Sequence, residues 1–142
     1  MKLETSGKIS YYKKGAHSYL LAESWWVKTP IVNQAAEIPK YARLLEHGTL
    51  EIFAGYWWDG PSGPAFDTKD FMRASLAHDA LYQLLRNGKL HESVRKKADE
   101  LLFDLCRQDG MSSLRAWWCL QGVRKFAGYA AKYKPDQVLV AP

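Results

Sequence analysis

The chain has 142 residues, 47% hydrophobic and 13% aromatic, which is ample for the core of one ordinary domain. No run approaches the roughly 18 apolar residues of a membrane span, the N-terminus lacks the apolar stretch of a signal peptide, and two cysteines do not make a secreted disulfide framework. A formal charge of +5 and a pI near 9.2 suit an acidic partner, whether nucleic acid, anionic lipid headgroups or an acidic protein, without choosing among them.

The first third reads as short strands broken by turn residues. Runs 9–13 and 18–27 are rich in aromatic and β-favouring residues, and the Lys14-Gly15-Ala16 step between them reads as a hairpin connection. Pro30 and Pro39 bracket a mixed stretch, 31–38, that predicts a loop with at most a turn of helix. Runs 41–46 and 49–58 flank His47-Gly48, a two-residue hairpin signal, and Leu50, Ile52 and Ala54 alternate with Glu51 and Phe53. Residues 1–58 therefore predict one small antiparallel sheet.

Asp59-Gly60-Pro61-Ser62-Gly63-Pro64 continues neither a strand nor a helix. Beyond it, Asp67 or Thr68 offers an N-cap, residues 67–87 contain no Gly or Pro, and Gly88 supplies a stop. Ser93 caps a second helix to about 108, with Ala98, Leu101, Leu102, Leu105 and Cys106 on one stripe and Gly110 after it. Ser112 or Ser113 caps a third helix to about 133, with Gly122 and Gly128 as weak points or close-packing sites, and an extended tail follows over 134–142. Cys106 and Cys119 fall in helical apolar sequence and read as reduced core cysteines, a single pair being the alternative. The fold expected is α+β in a single domain over 1–142. Its N-terminal sheet precedes a helical half, 65–133, made of a hairpin and a long third helix.

Chemistry concentrates in the first helix, at Ala77-His78-Asp79-Ala80-Leu81-Tyr82. Helical geometry puts His78 and Tyr82 on one face and turns Asp79 about 100° away, so one helix serves two directions. A histidine acts as a general base near neutral pH when an acceptor, often a carboxylate, holds its other nitrogen. Asp99, on the facing side of the next helix in an antiparallel hairpin, is the candidate acceptor. Asp79 is then free to join the Gly60-Pro61-Ser62-Gly63 loop in offering oxygens to a hard cation such as calcium. The plainer alternatives are a core histidine satisfied by Asp99 and a tyrosine, an Asp79 facing solvent or bonded to the loop backbone, and a loop that only connects.

The series Gly60-Pro61-Ser62-Gly63, His78-Asp79-Ala80-Leu81-Tyr82 and Asp99 resembles phospholipase A2, above all its short prokaryotic and parvoviral-capsid forms, over residues 58–104. The resemblance implies that His78 is the base that activates water against the sn-2 ester. It further implies that Asp79, with loop carbonyls, ligates calcium, that Asp99 partners His78, and that Tyr82 supports Asp99 by a hydrogen bond. Two departures stand out: Ser62 replaces the second loop glycine, and Asp59 adds a carboxylate, which extends the candidate metal set to Asp59, Gly60, Ser62 and Asp79.

A longer pattern, Tyr56-x-x-Asp59-Gly60-x-Ser62-x-Pro64, His78-Asp79-x-Leu81-Tyr82, Arg95-x-x-Ala98-Asp99-x-x-Leu102 and Val123-Arg124-x-Phe126-Ala127-Gly128, resembles small proteins of bacteriophages and prophages whose role is uncharacterised. That resemblance implies synthesis in a host cytoplasm. It leaves two function classes: a phospholipase A2-like hydrolase that meets phospholipid or a membrane surface, and a non-enzymatic virion, tail or host-protein-binding factor. The basic residues come without a nucleic-acid motif, so nucleic acid is the least favoured partner. Of the tryptophan pairs Trp25-Trp26, Trp57-Trp58 and Trp117-Trp118, those in strands point to opposite faces, so one member of each is expected to be exposed. Exposed aromatics beside basic residues suit a membrane interface or a protein partner.

Overall fold

The computed structural model describes residues 2–16, 18–59 and 68–130, with 125–130 described by backbone alone. Its fold is α+β, with antiparallel sheets followed by three helices. The single sheet expected is two. β1 (Tyr11–Lys13), β2 (Ser18–Leu21) and β7 (Trp57–Asp59) form one, in the order β1-β2-β7. β3 (Trp25–Lys28), β4 (Ala36–Ile38), β5 (Ala42–Leu44) and β6 (Thr49–Ile52) form the other, in the order β3-β6-β5-β4.

The run 18–27 divides between the two sheets for a reason visible in its hydrogen bonds. The Leu21 amide donates to Tyr56 O and the Ala22 amide to Ser10 O, which closes the first sheet. Exposed Glu23 and Ser24 then turn the chain, and Trp25 resumes opposite Ile52 in the second. Run 49–58 breaks in the same way at Gly55, whose φ of +94° lies in the left-handed region. The stretch after Pro30, expected as a loop, holds β4. The Tyr41 amide donates to Ile38 O at 3.0 Å across a turn with Pro39 at its second position and Lys40 at φ +73° in its third, a type II arrangement that returns the chain as β5. A hairpin forms at His47-Gly48 between β5 and β6, but the Leu45 amide donates to Thr49 O, so its loop has three residues, 46–48, where two were expected. Only glycine suits position 48, because a Cβ there would lie 2.5 Å from Thr29 O at a φ of +109°.

The helices are α1 (Lys69–Arg86), α2 (Val94–Gln108) and α3 (Ser113–Ala130). α1 packs on α2 and touches β4 and β6, so it is buried on two flanks, from Phe71 and Met72 through Leu84 and Leu85. Thr68 and Ser93 occupy the N-cap positions without a side-chain cap bond, and Gly88 and Gly110 follow α1 and α2 at positive φ as expected. Asp67, the alternative cap, and the tail from 131 lie outside the described residues. Gly122 is a weak point rather than a close-packing site, since among the described residues nothing lies within 4 Å of a Cβ built there. Cys106 and Cys119 are free and buried, and burial pushes both thiols up from their ordinary range. No helix among the described residues is long and apolar enough to cross a membrane.

Arg73 fastens the N-terminal segment to the helices. Its guanidinium donates to both Asp109 carboxylate oxygens, at 2.5 and 3.0 Å, to Thr5 Oγ1 at 3.0 Å and to Gly7 O at 2.9 Å. A groove of about 1360 Å³ runs between that segment and α1, lined by Arg73, Asp109, Trp26 and Lys69 among others. It holds none of the residues that the motifs single out.

Candidate functional site

Two faces of α1 meet two partners. Ser75 and Asp79, one turn apart, face β7 and the residue before it; His78 and Tyr82, also one turn apart, face α2. Along the strand Tyr56 and Trp58 alternate inward with Trp57 pointing out, as the period of two requires. Trp58 Nε1 donates to Ser75 Oγ at 3.2 Å, and the Tyr56 hydroxyl donates to Asp79 Oδ2 at 2.5 Å. Two residues two apart on a strand thus engage two residues four apart on a helix, and the sheet is pinned to α1 by polar contacts at both points.

On the adjoining face, the carboxylate expected at Asp99 is where the hairpin should put it. His78 Nε2 donates to Asp99 Oδ1 at 2.8 Å, and the Tyr82 hydroxyl donates to the same oxygen at 2.7 Å. The His78 and Tyr82 rings stack with centroids 4.1 Å apart, which fixes the imidazole plane. Arg124 Nε lies 3.6 Å from Asp99 Oδ2, so the carboxylate is buried between α1, α2 and α3 with a cation on its open side. Burial, then the hydrogen bond to Asp99 and its charge, push the Tyr82 phenol well above its ordinary range, so it stays a donor. Because a carboxylate only accepts, Nε2 is the donor in this contact. Nδ1 has no hydrogen-bond partner among the described residues.

His78, Asp79, Tyr82 and Ser75 line a cavity of about 170 Å³ together with Asp59, Phe71, Gln83 and Arg86 among others. Burial raises the Asp79 carboxyl from 3.8 to about 6; the Tyr56 hydrogen bond opposes that rise, Asp59's charge adds to it, and Arg86 opposes it. Two acidic side chains therefore line one small cavity together with His78. Asp59 Oδ1 also accepts the Ser18 hydroxyl at 2.8 Å, which holds it at the end of β7. On the other side of Asp99, a second cavity of about 400 Å³ is lined by Arg95, Lys96, Arg124, Tyr82 and Asp99.

Of the residues singled out by sequence, His78, Tyr82 and Asp99 come together in one network, and Asp79 and Asp59 come together at one cavity. Gly60 and Ser62, the remaining candidate ligands, lie outside the described residues. Among those described, no group of three His, Cys, Asp or Glu side chains is arranged to hold a metal ion. Sequence reasoning missed Tyr56 as the partner of Asp79, although it opens the longer motif three residues before Asp59 and shares its inward parity with Trp58. It also missed Arg124 beside Asp99, although that residue too falls within the longer motif. No protein-family model, curated protein or solved structure matches the chain.

Proposed function

We propose that the chain is a phage-encoded, phospholipase A2-like ester hydrolase that uses calcium. The observation that carries this reading is the orientation of His78. Its Nε2 is committed to Asp99, its plane is set by the Tyr82 ring, and its remaining nitrogen belongs to a residue lining the cavity that holds Asp79 and Asp59.

In this mechanism Nδ1 of His78 takes a proton from a water in the cavity, and the water oxygen attacks the carbonyl carbon of the ester. Asp99 stabilises the imidazolium that forms, and Tyr82 and Arg124 hold the carboxylate in place. The imidazolium then returns its proton to the departing alcohol oxygen as the tetrahedral intermediate collapses to acid and alcohol. Of the candidate metal set the described members, Asp79 and Asp59, offer carboxylate oxygens, the donor type that suits a hard cation. Calcium held by Asp79 and Asp59 would supply Lewis-acid stabilisation of the charge that develops on the ester carbonyl oxygen. The raised Asp79 carboxyl supports the same reading, because a cation in the cavity relieves the cost of its ionisation as a proton otherwise does.

One observation favours a second reading, a non-enzymatic phage component in which the polar network is structural: the Tyr56 hydroxyl already occupies Oδ2 of Asp79. The two are separated by fatty-acid release from a short-chain monomeric phospholipid with calcium or with chelator. The hydrolase reading expects release only with calcium and none from His78→Ala. Equal signals with calcium and chelator, or a signal that survives His78→Ala, refute it.

A further inference from the structure

Both carboxylates that line the small cavity come to it with one oxygen already in use. The Tyr56 hydroxyl donates to Asp79 Oδ2 at 2.5 Å, and the Ser18 hydroxyl donates to Asp59 Oδ1 at 2.8 Å. Among the described residues neither carboxylate accepts any other hydrogen bond. Each acid therefore has one oxygen capped by a hydroxyl and one left over, and the two leftovers, Asp79 Oδ1 and Asp59 Oδ2, belong to residues of the same cavity wall.

The caps are built into the fold. Ser18 and Asp59 are direct cross-strand partners in β2 and β7, so the register of that pair brings hydroxyl to carboxylate. Tyr56 is 3% exposed, its carbonyl accepts the Leu21 amide at 2.8 Å, and its own amide donates to Phe53 O at 3.1 Å, which fixes where the side chain starts. Burial, then the charge of Asp79 and the hydrogen bond to it, push the Tyr56 phenol far above its ordinary range, so the hydroxyl remains a donor.

A hydroxyl proton and a metal cation are both positive and draw on the same carboxylate charge. A capped oxygen is a poor ligand, and the carboxylate coordinates through the other. Calcium gains from carboxylates that bind through both oxygens, because it takes many oxygen ligands in a flexible arrangement. Magnesium takes fewer, keeps several waters, and is held by one or two carboxylates.

We propose that Tyr56 and Ser18 are positioning residues that hold Asp79 and Asp59 to one coordinating oxygen each, which keeps the calcium affinity of the cavity low and its discrimination against magnesium weak. The inference rests on the calcium-dependent hydrolase reading for its cation. It does not rest on turnover, because the effect is on which ion binds and how tightly.

The experiment is titration calorimetry of the full chain at pH 8 with calcium chloride and, separately, with magnesium chloride. Wild type is expected to bind both ions with dissociation constants within about tenfold of each other. Tyr56→Phe, which removes the cap and keeps the ring, is expected to tighten calcium by roughly tenfold, the equivalent of one hydrogen bond to a charged group, and to move magnesium much less. Ser18→Ala, at a partly exposed position, is expected to tighten calcium severalfold, and it decides the matter if Tyr56→Phe does not fold. A purely packing role for Tyr56 would change both ions alike or neither, and leave their ratio where it was. A calcium affinity that the substitution leaves unchanged or weakens, or a calcium-to-magnesium ratio that does not move, overturns the proposal, while calcium binding by wild type leaves the hydrolase reading standing. No calcium binding by wild type or by either variant overturns both. Calcium binding that tightens as expected, with fatty-acid release that survives His78→Ala, refutes the catalytic reading and leaves the role of the two hydroxyls intact.

Discussion

Replacing Asp79 with asparagine should stabilise the protein at neutral pH. The folded carboxyl titrates at about 6 rather than 3.8, chiefly because it is buried. A folded value above the unfolded one means that the protonated form is the one the fold prefers. The stabilisation that proton binding brings is fully present below about pH 4 and is lost as pH rises through 6. Moving the carboxyl from 3.8 to about 6 corresponds to ~3 kcal/mol of extra cost for the ionised form. Asparagine removes that cost and retains a carbonyl oxygen for the Tyr56 hydroxyl. In chelator, wild type and Asp79→Asn should melt together below pH 4 and diverge above pH 7, the variant higher by roughly 10 °C at about 3 °C per kcal/mol for a chain of this size. Urea denaturation across pH 3.5 to 8 checks the same difference as a free energy. An offset that does not change with pH, or a variant less stable than wild type at pH 8, would refute the reasoning.

Further outcomes follow from the same contacts. Millimolar calcium at pH 8 should raise the melting temperature of wild type and leave Asp79→Asn unmoved, since a ligand of the folded state adds about 2.7 kcal/mol at a hundred times its Kd. Arg73→Met should cost about 3 kcal/mol, because it leaves Asp109 without its paired cation, and should make residues 2–10 cleavable by a protease in urea too dilute to unfold the chain. Tyr82→Phe removes one of two donors from Asp99 Oδ1 and should cost about 1–3 kcal/mol in a denaturant melt.

The helical half was legible because its signals are local. Residues 69–86 hold no Gly or Pro, glycines stand at 88 and 110, and the spacing of His78 and Tyr82 by four puts them on one face wherever the helix packs. A short hairpin then leaves few places for a partner on α2, and Asp99 is in one of them. The sheet was less legible. Nothing in Ala22-Glu23-Ser24 forbids a strand, and the break comes from hydrogen bonds to Ser10 and Tyr56, residues distant in sequence. For the same reason the pairing of Asp79 with Tyr56 was hidden, since it depends on how β7 lies across α1. Pro39 read as a breaker because its role as the second residue of a turn shows only once Ala36 is paired with Leu44.

The central claim, that His78 activates water against an ester carbonyl, is tested most directly by hydrolysing an sn-2-labelled short-chain phospholipid in water enriched in oxygen-18 with calcium present. The account predicts a released fatty acid carrying one heavy oxygen, an unlabelled lysophospholipid, and no product from His78→Ala. Heavy oxygen in the lysophospholipid, equal release from His78→Ala, or no release from wild type would contradict it.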